Sequence, residues 1–153
     1  MTVAHTTTRP MPNPVRVSRL LLALVGLSHL VVPLVMVARR TTLHAQIAAQ
    51  HPTFGPEEVD RSVSTALASA AAFHAVLLAL CVYLVVALPA GRPRVRRLAL
   101  LSQGLGILFS IVSWSANEMF HAVIPVIDAV QVVIIVLLLL PAARAFFTPA
   151  AAR

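Results

Sequence analysis

The sequence predicts an all-α fold, a membrane-embedded four-helix bundle with four transmembrane helices and with N and C termini cytoplasmic. Three observations carry that prediction. Of 153 residues, 59% are hydrophobic and 11% are charged, against roughly 45–50% and about 25% in soluble domains. The mean hydropathy is +0.89. The apolar residues fall into long runs of about 20 residues, the length that crosses a hydrocarbon core. The arginines lie at the ends of those runs, between them rather than within them.

Taken in order, residues 1–15 hold Pro10, Pro12, Pro14 and three consecutive threonines, the composition of a disordered cytoplasmic tail. The transmembrane domain covers 16–147, with spans at about 19–38, 64–88, 98–121 and 126–146. The outer loop is 39–63, the cytoplasmic loop is 89–97, and 148–153 form a C-terminal tail. Arginines precede the first span as in a signal peptide. Its apolar run is too long, and lacks a small-x-small cleavage site, so it reads as an uncleaved span with Pro33 near its end.

The second span is entered through "GPEEVDRSVST", which has the chemistry of a helix start. Pro56 suits the first helical position, and Glu57 and Glu58 complement the positive end of the helix dipole. A helix from Pro56 to Leu88 would be about 50 Å long at 1.5 Å per residue, so it would project beyond a core of about 30 Å. The third span follows the tight Arg-rich turn "GRPRVRR". The fourth is opened by Pro125 and has Pro141 in its last turns. "FHAV" occurs at 73–76 and again at 120–123, at positions that are not equivalent in the two helices, so no repeat is read from it.

Charge sets the orientation. Arg9, Arg16, Arg19, Arg92, Arg94, Arg96, Arg97, Arg144 and Arg153 lie on one side of the predicted spans, and Arg39, Arg40 and Arg61 on the other. The positive-inside rule places the first group in the cytoplasm. The formal charge of +7 is therefore topological, and no nucleic acid partner is implied. The absence of lysine among twelve basic residues, with abundant Ala, Pro and Val, fits GC-rich coding and a bacterial source. Cys81 is the single cysteine, which excludes a dithiol redox mechanism.

Each span carries one polar stripe. At 100° per residue, Gln103, Gly106, Ser110, Trp114, Asn117 and His121 fall within about 80° of one another. The first span aligns Gly26, His29 and Pro33, the second Ala70, Ala71, His74 and Cys81, and the fourth Asp128 and Gln131. Lipid offers such groups no partner, so the stripes are expected to face one another. Ala68, Ala72, Ala75 and Ala79 form a small-residue stripe that permits close helix approach. It reads as packing inside the chain, with a dimer seam as the alternative.

The candidate site lies in "SWSANEMFHAVIPVID", residues 113–128, where Glu118, His121 and Asp128 interrupt an apolar stretch. One reading is structural. Asp128 would sit in the first turn of the fourth helix, and His121 would bond a carbonyl freed at the end of the third. Glu118 fits that reading less well, as an acid at the negative end of a helix and close to hydrocarbon. The other reading is a transition-metal site. Glu-x-x-His places a carboxylate beside an imidazole, as in diiron bundles, and His74 and Asp128 would complete the set with Glu118 and His121. A bis-histidine haem held by His29 and His74, and a proton relay through Glu118, His121 and His74, are further alternatives. His44 and His51 read as solvated residues of the outer loop.

"RLLLALVGLSHLVVP", "PEEVDRSVSTALA" and "GRPRVRRLAL" together resemble a class of small four-helix integral membrane proteins of actinobacteria whose roles are uncharacterised. The likeness covers most of residues 19–146 and is architectural. The first span also resembles DoxX-like proteins, some of which are linked to membrane redox chemistry. Both resemblances imply a four-helix fold and a membrane location, and neither assigns a functional residue. The expected role is that of a multi-pass protein of the cytoplasmic membrane, a non-enzymatic accessory or interaction protein with a membrane-protein partner or a homodimer, surrounded by the lipid bilayer. A metal- or haem-binding redox protein and a proton relay are the alternatives.

Overall fold

The computed structural model describes residues 10–116 and 120–148, and among these the regular structure is helical, with no strand. The helices are α1 (Asn13–Ala38), α2 (Arg40–Gln50), α3 (Pro56–Ala87), α4 (Pro93–Ala116), α5 (Ile124–Leu139) and α6 (Pro141–Phe146), with a 3-10 turn at Leu88–Ala90. Three helical segments, Asn13–Ala38, Pro56–Ala90 and Pro93–Trp114, are long and apolar enough to cross a membrane. The chain divides into two compact units. One comprises the segment up to Ala23 and that from Tyr83 onward, and the other comprises Leu24–Val82.

Several boundaries depart from the sequence expectation, each for a local reason. Helix α1 begins at Asn13, inside the segment expected to be a disordered tail, because Pro14 is tolerated in a first turn and Val15 is fully buried. Residues 1–9 lie outside the described residues. The outer segment expected as a loop contains the eleven-residue helix α2, whose Leu43 is buried. Helix α3 starts at Pro56 as expected. Glu58 accepts a hydrogen bond from the Gly55 backbone N–H at 2.8 Å, half of a capping box.

The fourth expected span is not one helix. Leu140 has ψ 147°, the extended conformation that a following proline imposes, and Pro141 begins a separate helix. Helix α5 has 16 residues and is about 24 Å long. Helix α6 then buries Ala143 and Phe146, with Phe147 following.

The unit built from the chain ends holds a core of Val15, Ser18, Leu22, Leu84, Leu88, Ile134 and Leu138, each fully buried. Ser18 donates to the Pro14 carbonyl, so its hydroxyl is satisfied inside its own helix. Two arginines close the ends of neighbouring helices. Arg19 Nε donates to the Val85 carbonyl at 2.8 Å, and Arg96 Nε to the Leu138 carbonyl at 2.9 Å. Both carbonyls lie in the last turn of a helix, where the backbone has no N–H to offer and the dipole favours a cation.

In the second unit, α1 and α3 come close at Gly26. A Cβ at that position would lie 3.2 Å from Cys81 Cβ. That atom is fixed to the backbone of α3, so glycine sets the approach. The Ala stripe behaves otherwise: Ala68, Ala72, Ala75 and Ala79 are all exposed. The expectation that they pack inside the chain is overturned, because α3 turns Val63, His74 and Cys81 inward and these alanines lie on its other side.

Candidate functional site

Among the described residues, polar side chains of the apolar helices meet in two places, one in each unit. In the second unit, His29 of α1 and His74 of α3 are joined directly, Nδ1 to Nδ1, at 3.0 Å. Their ring centroids are 5.2 Å apart and their planes differ by 44°. One Nδ1 must carry the hydrogen and the other accept it, so the two rings are in different tautomers. Both residues are half-buried. Pro33, one turn beyond His29, brings no N–H to the His29 carbonyl, which locally loosens the helical ladder at the pair.

This geometry does not fit the haem expectation. Two imidazoles that ligate one metal from opposite sides hold their nitrogens about 4 Å apart, with the cofactor between them. The His29–His74 bond occupies that space.

In the first unit the polar stripe of α4 faces that of α5. Ser110 Oγ lies 2.7 Å from both carboxylate oxygens of Asp128 and 2.7 Å from the Ile107 carbonyl oxygen. One turn away, the Gln131 amide sits against Gly106, where a Cβ would lie 2.8 Å from its Nε2 and 2.9 Å from its Oε1. Gln103 donates from Nε2 to Ser102 Oγ at 3.1 Å. Gln103 and Gln131 are 2% and 4% exposed, and the Oε1 of each finds no donor. Arg96 on Leu138 closes the seam at its other end. The opposite side of α5 borders an open, almost wholly apolar groove of about 450 Å³, lined by Leu21, Pro125, Val126, Ala129, Val130 and Val133.

The expected metal ligands have separate partners. His121 lies in the turn after α4 rather than in the helix. Its Nε2 is 2.7 Å from the Trp114 carbonyl and its ring stacks on Trp114 at 4.4 Å. Asp128 is beyond the first turn of α5, which contains no acidic residue, so its partner is Ser110 and not the helix end. His74 belongs to His29. Glu118 lies outside the described residues. Among the described residues, no three His, Cys, Asp or Glu side chains are grouped to hold a metal; Glu118, the fourth member of the expected set with His74, His121 and Asp128, is not among them. In the segment 39–63, His44 Nε2 is 3.6 Å from Asp60 and His51 stacks on Phe54.

Sequence periodicity located both polar seams but not the pairings within them. The stripes give direction about a helix axis, whereas pairing depends on the relative height of two helices. Arg19 and Arg96 are legible in the sequence as topological charges only; each lies within two turns of a helix-opening proline, five residues after Pro14 and three after Pro93, which is the signal that they can reach a neighbouring helix end. Compared with protein-family models, curated proteins and solved structures, the chain matches none.

Proposed function

We propose that the chain is a four-span protein of a bacterial cytoplasmic membrane, with both termini inside, acting as a non-enzymatic accessory protein that associates with another membrane span. The three long apolar helices support a membrane protein, and α5 followed by α6 supplies the remaining, shorter apolar segment. Arg19 and Arg96 bind the ends of α3 and α5 within one unit, which supports a common arginine-rich side facing the cytoplasm.

The observation that carries association is the exposed stripe Ala68, Ala72, Ala75 and Ala79. Elsewhere the long helices expose bulky side chains such as Leu20, Val86, Leu101 and Ile111, which lipid solvates well. Small residues in a row admit a second helix at close range and gain from dispersion and weak Cα–H bonds. The Ala72→Leu/Ala75→Leu double variant is expected to weaken association about tenfold or more, equivalent to roughly 1.4 kcal/mol, while leaving the chain folded. Cross-linking and co-purification from native membranes read this out. A parent protein that is monomeric and carries no stoichiometric partner would sink the proposal.

A second reading, a proton relay, is favoured by the direct His29–His74 bond. When the donating ring takes up a proton at Nε2, its Nδ1 hydrogen can pass to the partner's Nδ1 as the partner releases its own Nε2 hydrogen, so that both rings stay neutral, exchange tautomers and move one proton. In liposomes the parent protein would then conduct protons under a pH gradient, and His74→Phe would lower the flux about tenfold, the scale expected for losing one transfer group. An absence of flux in the parent protein removes this reading.

A further inference from the structure

At Ser110 the α4–α5 seam places more acceptor oxygens than the hydroxyl has hydrogens to give. Ser110 Oγ has three oxygens at 2.7 Å, the Ile107 carbonyl and the two carboxylate oxygens of Asp128. A serine has one hydroxyl hydrogen. A forked bond to Asp128 uses it and leaves the Ile107 contact bare; a bond to Ile107 leaves the carboxylate contacts bare. Three residues along α5, on the same face as Asp128, the 4% exposed Gln131 has an Oε1 with no donor. Gly106, one turn from Ser110, is what lets that amide sit so close to α4. Gln103, three residues before Gly106, adds a second buried Oε1 without a donor.

Unfilled buried acceptors are costly because they lose their water without a replacement bond, and here they gather along one seam beside a carboxylate. Asp128 makes no ion pair among the described residues. Among the described residues, the charged and titratable groups flanking the seam are engaged elsewhere: Arg96 donates to Leu138, and His121 meets the Trp114 carbonyl.

We infer that this seam binds a small monovalent cation of the sodium class through the Asp128 carboxylate, the Ser110 hydroxyl and Gln131 Oε1, with Gln103 Oε1 as the next acceptor along the path. Oxygen donors of this kind suit hard cations. Valence follows from charge: one positive charge neutralises one carboxylate, whereas a divalent ion would leave a net charge beside hydrocarbon. The ion also resolves the shortage of hydrogens. Ser110 donates to the Ile107 carbonyl and presents its lone pairs to the cation, as do Asp128 and Gln131. A proton on Asp128 would fill the Ser110 contacts but leave Gln131 Oε1 bare. The site is independent of the Ala stripe and of the histidine pair.

The test uses the full chain in detergent, with sodium, potassium or choline chloride at equal ionic strength. At about 100 times its dissociation constant, sodium is expected to raise Tm by several degrees over choline. Asp128→Asn and Gln131→Leu are expected to lose that sodium-specific rise. Retention of radiolabelled sodium by the unmodified protein, displaced by unlabelled sodium and not by choline, reads binding without relying on a variant that folds. Identical Tm in all three salts with no retained label would overturn the inference. So would a stabilisation by acid that sodium does not affect, since the guest would then be a proton.

Discussion

Gly91→Ala lowers stability by about 2–3 kcal/mol, from left-handed strain and crowding together. Two features combine at this position. Gly91 has φ 63°, the one positive φ in the chain's described residues, where it closes the 3-10 turn at Leu88. A Cβ there would also lie 3.2 Å from the Phe146 backbone carbonyl oxygen and 3.4 Å from its ring. The first effect comes from the turn between α3 and α4, the second from the docking of α6. They can be separated by experiment. Asparagine tolerates the left-handed region better than alanine, so Gly91→Asn recovers strain but not space. Phe146→Ala combined with Gly91→Ala relieves the ring contact and not the strain. Denaturation in mixed micelles measures each. A Gly91→Ala protein as stable as the parent would show that α6 does not dock on this turn.

The second large effect is expected at the histidine pair. His29→Leu or His74→Leu removes one partner and leaves the other ring with an unmet polar atom in a half-buried place, a loss of about 1–3 kcal/mol. The double variant His29→Leu/His74→Leu replaces both rings by apolar side chains of compatible setting and is expected to lose less than the two single changes combined. Interhelical hydrogen bonds in membrane proteins average about 0.6 kcal/mol and reach about 1.7. The bond has an ordinary length of 3.0 Å, so the expected coupling lies within that range, about 0.6–1.7 kcal/mol. A double-mutant cycle on stability reads the coupling directly. Additive losses would mean that the rings meet without a bond between them.

The two seams show how far periodicity reaches. Gln103, Gly106 and Ser110 on α4, and Asp128 and Gln131 on α5, were assigned to facing stripes because a helix repeats every 3.6 residues and lipid rejects polar groups. The structure joins those stripes through Ser110 and Asp128. Other expectations failed where a local rule met a tertiary one. The fourth span is expected to carry Pro141 in its last turns, yet the residue before a proline avoids the helical region, and Leu140 breaks the segment. His121 was placed on the helical stripe, and it sits instead in the turn beyond, stacked on Trp114.

Composition, the lengths of the apolar runs and the arginine distribution by themselves determined the all-helical class and its hydrocarbon-compatible segments, since backbone groups in lipid must be satisfied within the helix. They also determined which face of each helix is polar, because that follows from rotation about one axis. Only the tertiary structure decided that His29 meets His74, that Ser110 meets Asp128, and that Ala68, Ala72, Ala75 and Ala79 point away from the chain's own interior. Those outcomes depend on the axial offset and facing of two helices, which are set by side-chain fit at places such as Gly26 on Cys81 and Gly106 on Gln131, and a pattern along one helix carries no record of its height against another.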